Sequence, residues 1–242
     1  LITVPGCISE VEERAVVDAG MQAGARRVYL IEASVAAALG AGLDIAQPSG
    51  RMLVDIGGGK TDIAVLSLSG VVESRSLKTA GASFDEAIIR YVKKRYSILI
   101  GERSAEEIKI NLGCVYPDRS DAAMEVRGRC MLTGLPKMFT IRSEELPEAF
   151  EEVTELLVDG VRTVLEATPP ELAADIAENG ITVTGGGGLL YGMDKLIEAN
   201  TGIRTRVADD AELCAAYGAG KALDWLGDMQ EGTINLARRK QM

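Results

Sequence analysis

The chain has 242 residues, which is long enough for one large domain or two smaller ones, each with its own core. Hydrophobic residues make up 47% of the chain and charged residues 26%, a balance that excludes a disordered or collagen-like protein. The net charge of −10 argues against a nucleic acid as partner, and the absence of histidine excludes histidine-based triads and histidine metal sites.

Strand-like and helix-like runs alternate along the chain, which indicates an α/β fold. The first half is predicted to contain, in chain order, a strand at Leu1–Val4, a helix opened by the capping box Ser9/Glu12 and closed by Gly24, a strand at Val28–Ile31, a helix at Ser34–Leu39, strands at Met52–Ile56, Asp62–Leu66 and Val71–Ser76, and helices opened by the capping boxes Ser83/Glu86 and Ser104/Glu107. Because the chain starts directly inside a strand-like run, we expect the N-terminal part of a longer protein to be missing.

The second half begins with the segment Cys114–Arg142, whose scattered glycines and prolines predict an irregular inserted subdomain. It continues with a long amphipathic helix from Glu144 to Ala167, a short helix after Pro169 and Pro170, strands at Ile181–Thr184 and Arg204–Val207, and a last helix from Ala211 to Leu226. No apolar run approaches the ~18 residues of a membrane-spanning helix. The cysteines show no C-x-x-C spacing, which indicates the reduced thiols of a cytoplasmic protein.

The strongest chemical signal is a predicted strand that ends in an aspartate and three glycines. Glycines let backbone N–H groups approach a phosphate closely, and the candidate phosphate-binding residues are Gly57, Gly58, Gly59, Lys60 and Thr61. Asp55, at the end of the strand, is well placed to hold Mg²⁺ or its waters. A Walker A loop is excluded because Val54 stands where that motif requires a glycine. A glycine-rich hairpin without a ligand remains the alternative.

A second predicted strand also leads into a run of glycines, namely Gly185, Gly186, Gly187 and Gly188. Two such loops fit a cleft that holds a nucleotide between them. Glu106 and Lys109 lie one turn apart on the same face of a predicted helix. The carboxylate can accept hydrogen bonds from ribose hydroxyls and the lysine stem can cover a base, although an ordinary surface ion pair is the alternative.

These segments, in this order, resemble the superfamily of ATP-binding proteins that contains actin, the DnaK-type chaperones and the sugar kinases, and within it the bacterial actins of the MreB family. The likeness to MreB is carried by Ser9–Val16, Ala23–Ala25, Asp55–Gly59, Gly101–Lys109, Arg127–Arg129, Thr133–Lys137, Thr168–Asp175, Thr184–Gly187 and Tyr217–Lys221. The resemblance implies an α/β, actin-like (ribonuclease H-like) fold with two lobes around an ATP cleft. It also implies that the chain is incomplete at its N-terminus and lacks the first phosphate loop.

The resemblance further implies a division into parts. These are residues 1–46 as the remainder of the first lobe, 47–80 and 148–212 as the core of the second lobe, 81–147 as the small subdomain of the second lobe, and 213–242 as a C-terminal helix and tail. The first helix, with Val11, would lie where paired filaments meet. The alternative is that Val11 packs in the core.

The function implied by the resemblance is that of an ATP-binding, filament-forming cytoskeletal protein involved in cell shape and cell-wall synthesis. ATP and Mg²⁺ would be its cofactors. Its partners would be further copies of itself and proteins of cell-wall synthesis and morphogenesis, with no nucleic acid. It would lie in the cytoplasm, with peripheral membrane contact through the missing N-terminal part.

Two positions depart from the family pattern. Ala33 stands where the family has the second glutamate of an Ile-Glu-Glu-Pro motif, which would orient the attacking water, and Lys60 stands where the family has threonine. We therefore expect a weak ATPase at most and assign no catalytic residue. The alternative functions are a poorly hydrolysing ATP-binding scaffold or chaperone-like paralogue and, with less support, a sugar kinase, for which no segment offers a catalytic aspartate.

Overall fold

The computed structural model describes residues 1–6, 8–116 and 122–224. Its strands are β1 (Ile2–Val4), β2 (Leu30–Glu32), β3 (Arg51–Ile56), β4 (Thr61–Ser67), β5 (Gly70–Leu77), β6 (Ile98–Leu99), β7 (Ala123–Cys130), β8 (Pro136–Arg142), β9 (Ile181–Thr184) and β10 (Thr205–Val207). Its α-helices are α1 (Glu10–Gln22), α2 (Ala33–Gly40), α3 (Gly81–Tyr96), α4 (Glu102–Leu112), α5 (Leu146–Ala167), α6 (Pro170–Asn179), α7 (Met193–Thr201) and α8 (Cys214–Leu223). Short 3-10 helices lie at Ser143–Glu145, Gly186–Leu189 and Ala211–Leu213. The predicted mixture of strands and helices is confirmed, whereas α7 was not predicted.

A five-stranded sheet has the order β10-β9-β3-β4-β5. Strands β10, β9 and β3 are parallel, while β3, β4 and β5 form an antiparallel meander. Because side chains alternate across a strand, Met52 and Val54 pack into an apolar cluster with α3, α4 and α5, and Leu53 packs into a second cluster with α2. The parallel pairing brings the carboxyl ends of β3 and β9 together, with Asp55 opposite Thr184.

The segment expected to be irregular is largely a regular β-hairpin, so that prediction is wrong for residues 123–142. Strands β7 and β8 pair antiparallel from Ala123 and Arg142 to the turn, and β6 adds a third strand. Core-facing side chains of the hairpin, such as Val126 and Phe139, are buried. Gly128 is needed for the close approach of β6, because a Cβ there would lie 2.3 Å from Ile98 Cγ2. Residues 117–121 of the same segment lie outside the described part.

Helix α1 begins as predicted. The Ser9 Oγ accepts a hydrogen bond from the Glu12 N–H at 3.3 Å, and the Glu12 carboxylate accepts one from the Ser9 N–H at 2.8 Å, which completes the capping box. None of the residues of α1 is buried, and Val11 is 77% exposed. The alternative that Val11 packs in the core is therefore wrong.

The other two capping boxes are wrong, since both helices begin earlier. Helix α3 begins at Gly81, because the N–H groups of Gly81 and Ala82 donate to the carbonyls of Gly57 and Gly58 at 3.0 and 2.7 Å. Backbone carbonyls of the first glycine loop thus accept hydrogen bonds from free N–H groups of the first turn. In most helices a capping side chain is the acceptor. The Ser83 hydroxyl instead accepts from the Ala80 N–H.

Helix α4 begins at Glu102, with Gly101 as its N-cap, so Ser104 lies inside its first turn. Glu107, expected to complete a capping box, pairs with Arg103 one turn earlier at 3.3 Å. In the described ranges, no helix combines the length and the apolar character needed to cross a membrane.

Helices α2 and α8 pack closely through small residues. A Cβ at Gly218 would lie 1.7 Å from the Ala36 carbonyl oxygen, and a Cβ at Gly40 would lie 1.8 Å from the Cys214 carbonyl oxygen. The Lys221 ammonium donates to the Leu39 carbonyl at 2.9 Å, which satisfies one of the free acceptors at the end of α2. The predicted last helix is preceded by a 3-10 turn, and its expected end at Leu226 lies outside the described residues.

Candidate nucleotide site

A cavity of about 470 Å³ lies where the two glycine loops and helix α4 meet. It is lined by Gly57, Gly58, Gly81, Glu106, Lys109, Ile110, Gly113, Gly186, Gly187, Leu189, Leu190, Tyr191 and Glu212. The size is that of an ordinary small-ligand pocket. Segments far apart in the sequence are therefore gathered around one space, as the three separate sequence signals predict.

The structure brings together half of the residues predicted from the sequence. Those that line the cavity are Gly57, Gly58, Glu106, Lys109, Gly186 and Gly187. Those that do not line it are Asp55, Gly59, Lys60, Thr61, Gly185 and Gly188. Thr61 is fully buried, and its hydroxyl donates to the Thr79 carbonyl at 2.7 Å. Its role as a ligand-binding residue stays a prediction.

The first glycine loop is the turn between the antiparallel strands β3 and β4. The Gly57 N–H donates to the Lys60 carbonyl at 2.9 Å and closes the turn. The carbonyls of Gly57 and Gly58 accept from the start of α3, so α3 holds the loop in place while Gly57 and Gly58 line the cavity. The segment is therefore a glycine-rich hairpin turn, and its role in binding phosphate stays a prediction.

The second glycine loop packs directly on the end of β3. Gly185 has φ +81°, and a Cβ on it would lie 2.3 Å from the Ile56 carbonyl oxygen. A Cβ on Gly187 would lie 2.4 Å from Ile56 Cγ2. Gly186 has no atom within 4 Å of such a position and lines the cavity. Glycine is therefore required at 185 and 187 so that the second loop can pack against the end of β3.

Asp55 sits behind the loops, at the carboxyl end of β3. Its Oδ1 accepts a hydrogen bond from the Thr184 hydroxyl at 3.0 Å, and Asp62 stands opposite it on the neighbouring strand β4. Burial raises the pKa of Asp55. The hydrogen bond from Thr184 lowers this pKa, and the nearby Asp62 carboxylate raises it. The Lys60 ammonium lies 4.0 Å from Asp62 Oδ2. A positive charge beside Asp55 would offset this cost of burial.

One wall of the cavity carries large apolar side chains that the sequence interpretation did not include. Ile110 is 70% exposed and Leu189 is 55% exposed, while Tyr191 is partly exposed beside them. Ile110 lies one turn after Glu106, a helical spacing that could have indicated it. The backbone of the glycine loops offers polar groups to a ligand. The exposed apolar side chains offer a surface suited to a flat, weakly polar ring.

Glu212 and Gly81 also line the cavity, and no local sequence signal marks either. Ala33 is the first residue of α2 and follows Glu32, which is half-buried. Burial raises the pKa of Glu32, and the neighbouring Glu13 raises it further. The methyl group of Ala33 offers no hydrogen-bonding atom.

The solved structures that this fold matches define its class. The crystal structure of MreB5 of Spiroplasma citri bound to ADP has a TM-score of 0.90 and 38% sequence identity, with coverage of 93% of this chain and 68% of that one. The same protein bound to AMPPNP also gives a TM-score of 0.90, with 37% identity. A double helical filament of MamK, at 20% identity and a TM-score of 0.77, supports the fold alone. The chain therefore has the actin-like fold expected from its sequence.

The sequence matches narrow this class to a family. The family described as MreB/Mbl protein matches residues 1–231. The cell shape-determining protein MreB of Escherichia coli (strain K12) is 48% identical over 234 residues, which are 97% of this chain and 67% of that protein. The cell shape-determining protein Mbl of Bacillus subtilis (strain 168) is 46% identical over 224 residues, which are 93% of this chain and 67% of that protein. The chain belongs to the MreB/Mbl family.

Proposed function

We propose that this chain is the nucleotide-binding part of a filament-forming, cell shape-determining bacterial actin, and that ATP is its ligand. The observation that carries the proposal is the single cavity that joins two glycine loops, the Glu106 and Lys109 side chains, and an apolar wall. The relatives named as cell shape-determining proteins and the family structures with bound ADP and AMPPNP support it.

Each part of the cavity has a chemical role in this proposal. The loops at Gly57–Gly58 and Gly186–Gly187 leave room for phosphate groups to approach the backbone. Glu106 accepts from the sugar hydroxyls, and Lys109 donates to a nucleotide oxygen. The apolar wall covers the base.

Asp55 is proposed to hold Mg²⁺ or its waters beside the phosphates. Mg²⁺ usually takes one or two protein carboxylates and completes its shell with water and phosphate oxygens, so the pair Asp55 and Asp62 suits it without a larger acidic cluster. Among the described residues no group of three or more histidine, cysteine or acidic side chains could hold a metal ion alone. The ion would balance charge on the phosphates and on these carboxylates.

Self-association into filaments is proposed as the means by which the protein acts on cell shape, with proteins of cell-wall synthesis as partners. The exposed helix α1 offers a surface for pairing, since its residue Val11 is 77% exposed. The cytoplasm is the proposed location, with peripheral membrane contact through a segment N-terminal to this chain. The division into residues 1–46, 47–80 with 148–212, 81–147 and 213–242 remains part of this proposal.

A scaffold that binds ATP and hydrolyses it poorly is the second candidate, and Ala33 and Lys60 favour it. The Ala33 side chain can neither orient a water nor accept its proton, and the Lys60 ammonium is close to Asp62. The test is calorimetry with Mg-ATP together with sedimentation and electron microscopy of the full-length protein. ATP-dependent polymer formation supports the first candidate. Binding without polymer or phosphate release supports the second, and no binding overturns both.

A further inference from the structure

Lys109 on α4 and Asp85 on α3 form an ion pair beside the cavity, and of the two only Lys109 lines it. The Lys109 Nζ donates to Asp85 Oδ2 at 2.7 Å and to the Gly81 carbonyl at 3.1 Å. The two side chains are only 14% and 17% exposed. Lys109 lines the cavity and Asp85 stands behind it.

The number of donors on the lysine limits what its ammonium can do. An ammonium has three N–H donors, and the bonds to Asp85 and Gly81 use two of them. One donor is left for a ligand oxygen. Because the two bonds to α3 fix the position of the nitrogen, the direction of the third donor is fixed as well.

The geometry of the Asp85–Lys109 ion pair is not the one that would stabilise the fold most. Asp85 Oδ1 is buried and has no hydrogen-bond partner among the described residues. Burial raises the pKa of Asp85 even though the Lys109 contact lowers it. A partly buried ion pair gains little net stability, because desolvation offsets the attraction, and an unpaired oxygen adds to that cost. A role in the site explains the pair better than a role in folding.

We propose that Asp85 is a positioning residue of the nucleotide site, which holds the Lys109 ammonium so that its remaining N–H meets an oxygen of the bound nucleotide. Because the Asp85 carboxylate balances the lysine charge, Lys109 acts mainly as a directed hydrogen-bond donor and less as a free cation. This inference rests on the proposed function, since it requires a nucleotide in the cavity.

The test is a double-mutant cycle on ATP affinity in the full-length protein, measured by calorimetry with Mg-ATP. Asp85→Leu keeps the branched shape and removes the acceptor, and Lys109→Met keeps most of the stem and removes the donor. Each should weaken binding about tenfold. The double variant should also weaken binding about tenfold and not a hundredfold, because Asp85 acts through Lys109. Asp85→Asn keeps an acceptor oxygen and should recover most of the affinity.

Two further variants distinguish the positioning of Lys109 by Asp85 from a general effect of mutations on helices α3 and α4. Glu107→Leu removes the exposed ion pair with Arg103 on the same helix and should leave ATP affinity unchanged. Asp85→Glu keeps the charge but displaces the ammonium by about one methylene, and should weaken binding at least about threefold. It also serves as the test if Asp85→Leu fails to fold.

Three results would overturn the inference: full affinity in Asp85→Leu, full affinity in Asp85→Glu, or losses that add in the double variant. A wild-type protein that binds no ATP would instead reject the proposed function, so the two failures can be told apart.

Discussion

Gly185 is a position at which a single methyl group should damage the fold in two ways, through backbone strain and through overlap with β3. Alanine there must adopt φ +81°, and its Cβ would lie 2.3 Å from the Ile56 carbonyl oxygen and 2.8 Å from Asp55 Oδ1. The strained backbone costs about 1–3 kcal/mol. The overlap costs about 1–3 kcal/mol more, because the carbonyl belongs to β3 and cannot rotate away. Gly185→Ala should therefore lower the free energy of unfolding by about 2–6 kcal/mol.

The neighbouring residue provides a matched control. Gly186→Ala adds the same methyl group one residue later, where nothing lies within 4 Å. Its free energy of unfolding should stay within about 1 kcal/mol of the wild type. Its nucleotide affinity should fall, because the methyl group enters the space of the cavity.

Urea unfolding followed by circular dichroism measures both variants, with calorimetry for nucleotide affinity. A domain of this size loses about 2–4 °C in Tm for each kcal/mol, so thermal unfolding gives an independent reading. Equal stability of Gly185→Ala and Gly186→Ala would refute the reasoning, because it would mean that β9 and the end of β3 do not approach as closely as the structure shows.

Three other predictions concern hydrolysis, assembly and pH. In the full-length protein, Ala33→Glu combined with Lys60→Thr should raise the steady-state rate of phosphate release at least about tenfold, since a positioned general base is typically worth roughly 10²–10⁴-fold; equal rates in parent and double variant would contradict this. Val11→Glu should separate paired filaments in electron microscopy but leave the melting curve unchanged, because the side chain is 77% exposed; intact pairs would show that α1 is not the pairing surface. Burial of the phenol, and second to it the Glu145 carboxylate, raises the pKa of Tyr91 from 10.0 to about 12. The neutral phenol therefore stabilises the fold below pH 10, and this contribution is lost as the pH rises from 10 to about 12. Tyr91→Phe should remove that part of the alkaline loss in urea unfolding, and an unchanged alkaline profile would exclude Tyr91 as its source.

The parts of the site that could be predicted are those whose signal is local. A run of glycines after a strand indicates a close approach of the backbone wherever it occurs, and Glu106 and Lys109 share a helix face by spacing alone. Asp85 carries no such signal, since its partner Lys109 is 24 residues away in the sequence. Glu212 lines the cavity for the same non-local reason.

The wrong cap assigned to α3 has the same non-local origin. Ser83 was predicted to cap α3, but the carbonyls of the first glycine loop reach the helix first and accept its free N–H groups. The capping box at Ser9 was predicted correctly, because α1 is exposed and nothing else competes for its first turn. Between these two helices, the local rule holds where the first turn faces water and fails where another segment supplies the hydrogen-bond partner.

The sequence by itself determined the alternation of strands and helices, the start of α1 and the two glycine turns, because each depends on the torsions and side chains of a few consecutive residues. Only the tertiary structure decided that the two turns face one cavity. Their meeting depends on the parallel pairing of β3 with β9, which sets Asp55 opposite Thr184 and places both strand ends at one edge of the sheet. Both strands are buried and contribute to the same apolar cluster, and such burial is a property of the whole chain that no short stretch of residues contains.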